Sequence, residues 1–493
     1  MSPKPGRRFD SPHYTGELPR TQVLKNCLFA ALLLLYLFNL GSVGFGLDPD
    51  EPRYASIGRE MAQSGDWITP HLNGSAWFEK PPLLYWMTAA ATRIGLRDEW
   101  AARLPVALLS LAFLIVFYTI LEREFNARIA LMATALLGTS AGWIGYSFAA
   151  VTDLPVAACF GAAMLVALLD KRASSGWISG ILLGLAILAK AFLPVALFAP
   201  VWFVARGKRL AIAAGAILIA GPWHLWVWLR NGSAFWDVYF WQQQVGRFDS
   251  LALHHGQPFW FYAPVLLLGL FPWTPLFALL ARSKTYDEVR VGSLAIWLVL
   301  ALAFLSAFTN KLPGYLMSLL PAVAMVLAVA LDKAPRQEWW IAGCAVLMIL
   351  LPSAAAGLPD ALLEGATKAH WTFQPVGLLF LPVVAAAWTL AWRKQPALAV
   401  LIAAASAAAG IALLKVQILP IVDRRVAART FWRENQDKLP SACLETGLRP
   451  SAKYALDYYA SRALPDCGAA TSGWRVIAAP DGLALQPPQT KSP

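Results

Sequence analysis

The chain has 493 residues, 58% of them hydrophobic and only 14% charged, with a net charge of +12. Its repeated apolar runs approach the roughly 20 residues needed to cross a bilayer, which excludes a water-soluble globular protein and indicates a polytopic helical membrane protein. The Lys and Arg excess is scattered through short turns and does not stripe one face, which argues against nucleic acid as a partner.

Residues 1–22 are Pro-rich and basic, and the apolar run that follows is long enough to remain as a span. They are expected to form a disordered cytoplasmic tail with no cleavable signal. Helical spans are then expected at about 23–46, 104–121, 129–149, 155–170, 176–190, 191–205, 210–229, 259–281, 292–309, 313–331, 339–357, 373–392 and 397–420. Every second connection is basic, with Arg123 and Arg128, Lys171 and Arg172, Arg206 to Arg209, Arg282 to Arg290, Lys333 and Arg336, and Arg393 and Lys394. The positive-inside rule therefore predicts about thirteen helices over 23–420, an inside N-terminus and an outside C-terminus. From 421 to 493 the character becomes soluble, which predicts a small outer α/β domain whose Pro- and Gln-rich end is disordered.

The remaining polar residues concentrate on the predicted outer side. The first outer loop, 47–103, contains DPDEPRYASIGREMAQSGDWITPHLNGSAWFEKPPLLYW from Asp48 to Trp86, which packs acids, bases and aromatics into an otherwise apolar chain. Asp153 begins the fourth predicted helix, Lys190 sits at the turn after the fifth, His254 and His255 precede the eighth, and Lys311 and Tyr315 lie between the ninth and tenth. Taken singly, a charge at a helix end is ordinarily explained by snorkelling to the interface. Carboxylates, ammonium groups and imidazoles delivered by distant segments to one level of one face instead suggest a site.

Other signals are weaker. The aromatics of WHLWVWLRNGSAFWDVYFW read as an interfacial belt more readily than as a sugar-stacking platform. The sequence has no Gly-rich phosphate loop, CxxC pair, HExxH helix or internal repeat of fixed period. Cys27, Cys159 and Cys344 fall within predicted spans, where a thiol behaves as a small hydrophobe. Cys443 and Cys467 both fall in the outer segment, where an oxidising compartment would permit a disulfide.

The first-loop sequence resembles that of the aminoarabinose lipid A transferases and their relatives in the protein O-mannosyltransferase superfamily, membrane glycosyltransferases of the GT-C class. The resemblance continues through VTDLP (Val151 to Pro155), HGQPFWFY (His255 to Tyr262) and KLPGYLMSLLP (Lys311 to Pro321). It implies a polyprenyl (undecaprenyl) phosphate donor, a sugar such as 4-amino-4-deoxy-L-arabinose or another amino sugar, and lipid A or another envelope acceptor. It also implies a bacterial inner-membrane location with the active site facing the periplasm. The 421–493 segment is shorter than in the aminoarabinose enzymes and carries no recognisable motif, which leaves the acceptor less defined than the donor.

Transfer from such a donor requires a site that holds a phosphate and activates an acceptor. Lys80, Arg53 and the Tyr315 hydroxyl suit the phosphate, and the resemblance points to the same three positions, with Lys190 and Lys311 as further candidates. For the base, the Asp50–Glu51 pair comes first, through Asp50, and Asp153 second. A single displacement, with inversion, fits these acids better than a double one. The resemblance further implies a divalent ion, for which Glu79 and His255 would form a partial zinc shell. A transporter or flippase of polyprenyl-linked sugars is the alternative, and it would place polar groups near midplane or at both faces.

Overall fold

A computed structural model describes residues 18–246, 256–365, 368–468, 473–479 and 482–488. Helix α1 (Leu18–Leu37) leads into a polar connecting segment with α2 (Asp50–Ser64), the short antiparallel pair β1 (His71–Leu72) and β2 (Ser75–Ala76), and α3 (Leu83–Arg93). Then come α4 (Asp98–Glu124), α5 (Ala127–Gly138), α6 (Ala141–Ser147), α7 (Asp153–Leu169), α8 (Ser175–Lys190), α9 (Leu193–Val204) and α10 (Arg209–Asn231). Among the described residues, six helices are long and apolar enough to cross a membrane, and two bent pairs add a candidate span each. Further apolar helices are shorter, among them α7, α8, α9 and Leu320–Asp332.

Both bent pairs replace a span expected to be continuous. The 129–149 run divides into α5 and α6, inclined by 62°. At the break, the Thr139 and Ser140 hydroxyls donate to the Ala135 and Leu137 carbonyls, and the Ala141 amide leaves the helix to donate to Phe271 O at 2.9 Å. Side chains that bond back to their own helix compete with its ladder, which fits a bend at this point. The 259–281 run divides into Tyr262–Gly269 and Thr274–Ala281, inclined by 119° with Pro272 between them.

Helices α7 and Leu320–Asp332 are buried on nearly all sides and form the centre of the core. Apolar residues all round are what a helix in that position requires. Helices α8 and α10 pack closely through Gly176, Gly180 and Gly184, and a Cβ at Gly180 would overlap the Ile212 carbonyl. Small residues at this spacing let helix backbones approach where the solvent is lipid. On α10, Leu210, Ile217 and Leu218 are left exposed, as a lipid-facing surface demands.

The two ends of the bundle differ. At one end the basic turns are tied together by Arg128 with Asp332 (3.6 Å), Arg290 with Glu124 (2.6 Å), and Lys208 donating to Asp170 O (2.6 Å). At the other end α2, α3 and the C-terminal residues gather. There Pro450–Ala460 forms a helix beside a three-stranded sheet ordered β3 (Cys443–Leu444), β4 (Arg475–Ala479), β5 (Gly482–Gln486), parallel and then antiparallel. Cys443 and Cys467 are joined as a disulfide. This unit docks through Tyr459, whose hydroxyl donates to Glu99 (2.5 Å), and through Arg429, which donates to Gly41 O and Ser42 O at 2.7 Å each.

Candidate active site

The site is built on the start of α2. Asp48 Oδ1 accepts the Asp50 amide at 2.7 Å and so satisfies one of the backbone donors that a helix start leaves unpaired. One turn on, Arg53 pairs with Asp50 and lies 3.6 Å from Glu79, while Tyr54 donates its hydroxyl to the other Asp50 oxygen at 3.2 Å. The guanidinium is ringed by Tyr54 (5.8 Å), Trp77 (5.5 Å) and Tyr454 (5.1 Å), the last from the Pro450–Ala460 helix. Lys80 pairs with Glu79 at 2.8 Å. Glu79 therefore faces two cations.

A second group comes from α7, α8 and the KLPGY turn. Lys190, at the end of α8, pairs with Asp153 at 2.5 Å, and its ammonium lies 4.8 Å from the centre of the Tyr315 ring. Gly314 explains how the turn gets so close, because a Cβ there would overlap the Asp153 carboxylate. Tyr146 on α6 lies within electrostatic reach of both Asp153 and Asp48, which brings the two groups of acids together.

Two expected site residues are placed differently. Glu51 is 2% exposed and accepts from Arg103 at 2.7 and 2.8 Å and from the Ala150 amide at 2.9 Å, while Arg103 also donates to Val43 O. This carboxylate pins α2 to α4, and its bonds go to Arg103 and the Ala150 amide rather than to Arg53, Lys80 or Lys190. Lys311 donates to Gln257 O (2.9 Å) and Phe308 O (2.5 Å), so two of its three ammonium hydrogens are taken by backbone. His254 and His255 lie outside the described residues. Among the described residues no three His, Cys, Asp or Glu side chains gather as a metal shell. Glu79, the other expected metal ligand, lies 3.6 Å from Arg53 and 2.8 Å from Lys80, so an ion held there would share this carboxylate with both cations.

Residues 79–226 match the family model of the dolichyl-phosphate-mannose-protein mannosyltransferases. The undecaprenyl phosphate-alpha-4-amino-4-deoxy-L-arabinose arabinosyl transferase of Pseudomonas paraeruginosa is 30% identical over 390 residues, covering 75% of this chain and 70% of that protein. The chain belongs to this transferase family. The counterpart from Pseudomonas savastanoi pv. phaseolicola is 31% identical over 74% of this chain and 71% of its own. The fold is shared with the crystal structure of ArnT from Cupriavidus metallidurans bound to undecaprenyl phosphate, at a TM-score of 0.74, 24% identity, and coverage of 91% and 87%. The architecture is thus the GT-C type expected from the first-loop motif.

Asp50, Arg53, Glu79 and Lys80 come together in one group, and Asp153, Lys190 and Tyr315 in another beside it. Sequence reasoning missed Arg103, Tyr454 and Asp48. Arg103 sits near the start of a predicted span and reads as an interfacial charge, and Tyr454 lies in a segment without a motif. Asp48 carried a signal, an acid two residues before the DE pair.

Proposed function

We propose that the protein transfers 4-amino-4-deoxy-L-arabinose from undecaprenyl phosphate to an acceptor O–H of lipid A, or of another envelope glycan, lipid or protein, at the periplasmic face of a bacterial inner membrane. The observation that carries this reading is the convergence of Asp50, Arg53, Glu79 and Lys80 with Asp153, Lys190 and Tyr315 at one end of an apolar bundle, in a chain of this family. The outer placement is supported by the basic turns at the opposite end and by the Cys443–Cys467 bridge, since disulfides persist in oxidising compartments.

In this reading Lys80 and Lys190 hold the donor phosphate and offset the charge that grows on it as the bond to the anomeric carbon breaks, with the Tyr315 hydroxyl as a further donor. The acceptor oxygen attacks that carbon, its proton passes to Asp50, and the polyprenyl phosphate leaves. One displacement inverts the anomeric centre. Arg53 and the Tyr54 hydroxyl hold the Asp50 carboxylate in place, and Asp153 fixes Lys190 until the phosphate arrives. A flippase would need polar groups distributed near midplane or at both faces; here the inner-end charges bridge one helix to another.

The test is transfer by the purified protein from the undecaprenyl-linked amino sugar to lipid A, read as a mass shift on the acceptor. Asp50→Asn should retain fold and insertion yet lose about 10²–10⁴-fold in turnover, as removal of a general base does. Native-like turnover by that variant would eliminate Asp50 as the base, and an unmodified lipid A with a modified glycan or protein would move the acceptor.

A further inference from the structure

Four carboxylates meet where α2 and α7 begin, and three of them have a cation. Asp50 has Arg53, Glu51 has Arg103 and Asp153 has Lys190. Asp48 has no ion pair among the described residues, and it is exposed to solvent. Its Oδ1 accepts the Asp50 amide, and among the described residues the second oxygen has no protein donor. The charges that act on it most strongly are Asp50 and Glu51 from α2 and Asp153 from α7, and the nearby cations Arg53, Arg103 and Lys190 are each paired with one of those three acids. Loss of part of its hydration to the surrounding protein, and then the charge of Asp50, push this carboxyl up to about 6, with the amide bond offsetting part of the effect.

An acid in that setting selects its ligand. A phosphate would be repelled, and a neutral hydroxyl would relieve none of the excess negative charge. A primary ammonium supplies both the missing charge and N–H donors for the free oxygen. We infer that Asp48 is a specificity residue that receives the ammonium group of an amino-sugar donor. The inference rests on the reading of the site as a lipid-linked sugar transferase and assigns one group of the sugar to one side chain. Asp50, tethered to Asp48 through the helix start, then faces the reacting end of the same sugar, so recognition and proton transfer fall to acids two residues apart.

The experiment compares three ligands on the full chain in lipid nanodiscs: undecaprenyl phosphate, its 4-amino-4-deoxyarabinose ester, and the arabinose ester with a hydroxyl in place of the amine. Dissociation constants are measured for the native protein, Asp48→Asn and Asp48→Ser; both variants retain an oxygen able to accept the Asp50 amide, so α2 keeps its start. The native protein should prefer the amino ester over the hydroxyl ester by about tenfold, the scale of one charged hydrogen bond. Both variants should lose that preference while binding undecaprenyl phosphate as the native protein does. The native preference should also fade as pH falls through about 6, because a proton on Asp48 removes the charge that attracts the ammonium. An amine preference that survives in both variants overturns the inference, and so does equal weakening of all three ligands. Native protein that binds undecaprenyl phosphate without preferring the amine overturns the inference alone, whereas native protein that binds none of the three overturns the transferase reading itself.

Discussion

Replacing Glu51 separates structure from chemistry at the DE pair. Its carboxylate accepts three bonds, two from Arg103 and one from the Ala150 amide, and the two side chains are only 2% and 4% exposed. Removing one partner of a buried pair strands the other charge, which costs about 3–5 kcal/mol. Glu51→Ala should therefore fall in that range, and Glu51→Gln, which keeps volume and one acceptor, nearer about 1–3 kcal/mol. Glu51→Leu combined with Arg103→Met should recover part of the loss, since an apolar pair strands no charge. The assay is thermal unfolding in detergent at fixed scan rate, with turnover normalised to the folded fraction. All variants should show lowered midpoints and near-native turnover per folded molecule. A native midpoint for Glu51→Gln with collapsed turnover would refute the structural role and return Glu51 to the chemistry.

The lysines should divide by partner. Lys80→Ala and Lys190→Ala should each weaken undecaprenyl phosphate binding by about tenfold or more, as loss of a charged hydrogen bond does, measurable by fluorescence competition. Lys311→Ala should instead lower the thermal midpoint with little change in donor affinity, because its ammonium serves Gln257 and Phe308. For topology, all native cysteines would be replaced, Cys443 and Cys467 together. Cysteine at exposed Ser75 should then react with an impermeant thiol reagent in intact spheroplasts, and cysteine at exposed Ser174 only after lysis. The reverse labelling would put the acidic cluster on the cytoplasmic face.

The sequence carried the site's membership further than its internal division of labour. The charged first loop, Asp153, Lys190 and Tyr315 stood out because polar groups beside lipid are costly and few. Which acid of the DE pair faces the cluster could not be read from adjacency, because consecutive helical residues point about 100° apart and the choice belongs to Arg103, on another helix. Lys311 shows the same limit, since a lysine at a span end has the same signature whether it meets a ligand or a carbonyl. The bends in 129–149 and 259–281 were hidden as well. A break such as that before Ala141 is satisfied by Phe271, well over a hundred residues later, and apolar periodicity does not encode such a partner. The Cys443–Cys467 bridge was legible as a pairing because no other cysteines fell in the outer segment.

The cage around Arg53 takes two of its rings from the first outer loop and the third, Tyr454, from within forty residues of the chain's end. During synthesis the loop emerges long before Tyr454 has been translated. A nascent chain thus carries its acids and bases without the ring that closes over them, and competence arrives as a late event, set by the emergence of Pro450–Ala460. Ribosomes that stall between Arg425 and Tyr454 would release proteins that carry the bundle and lack this wall of the site.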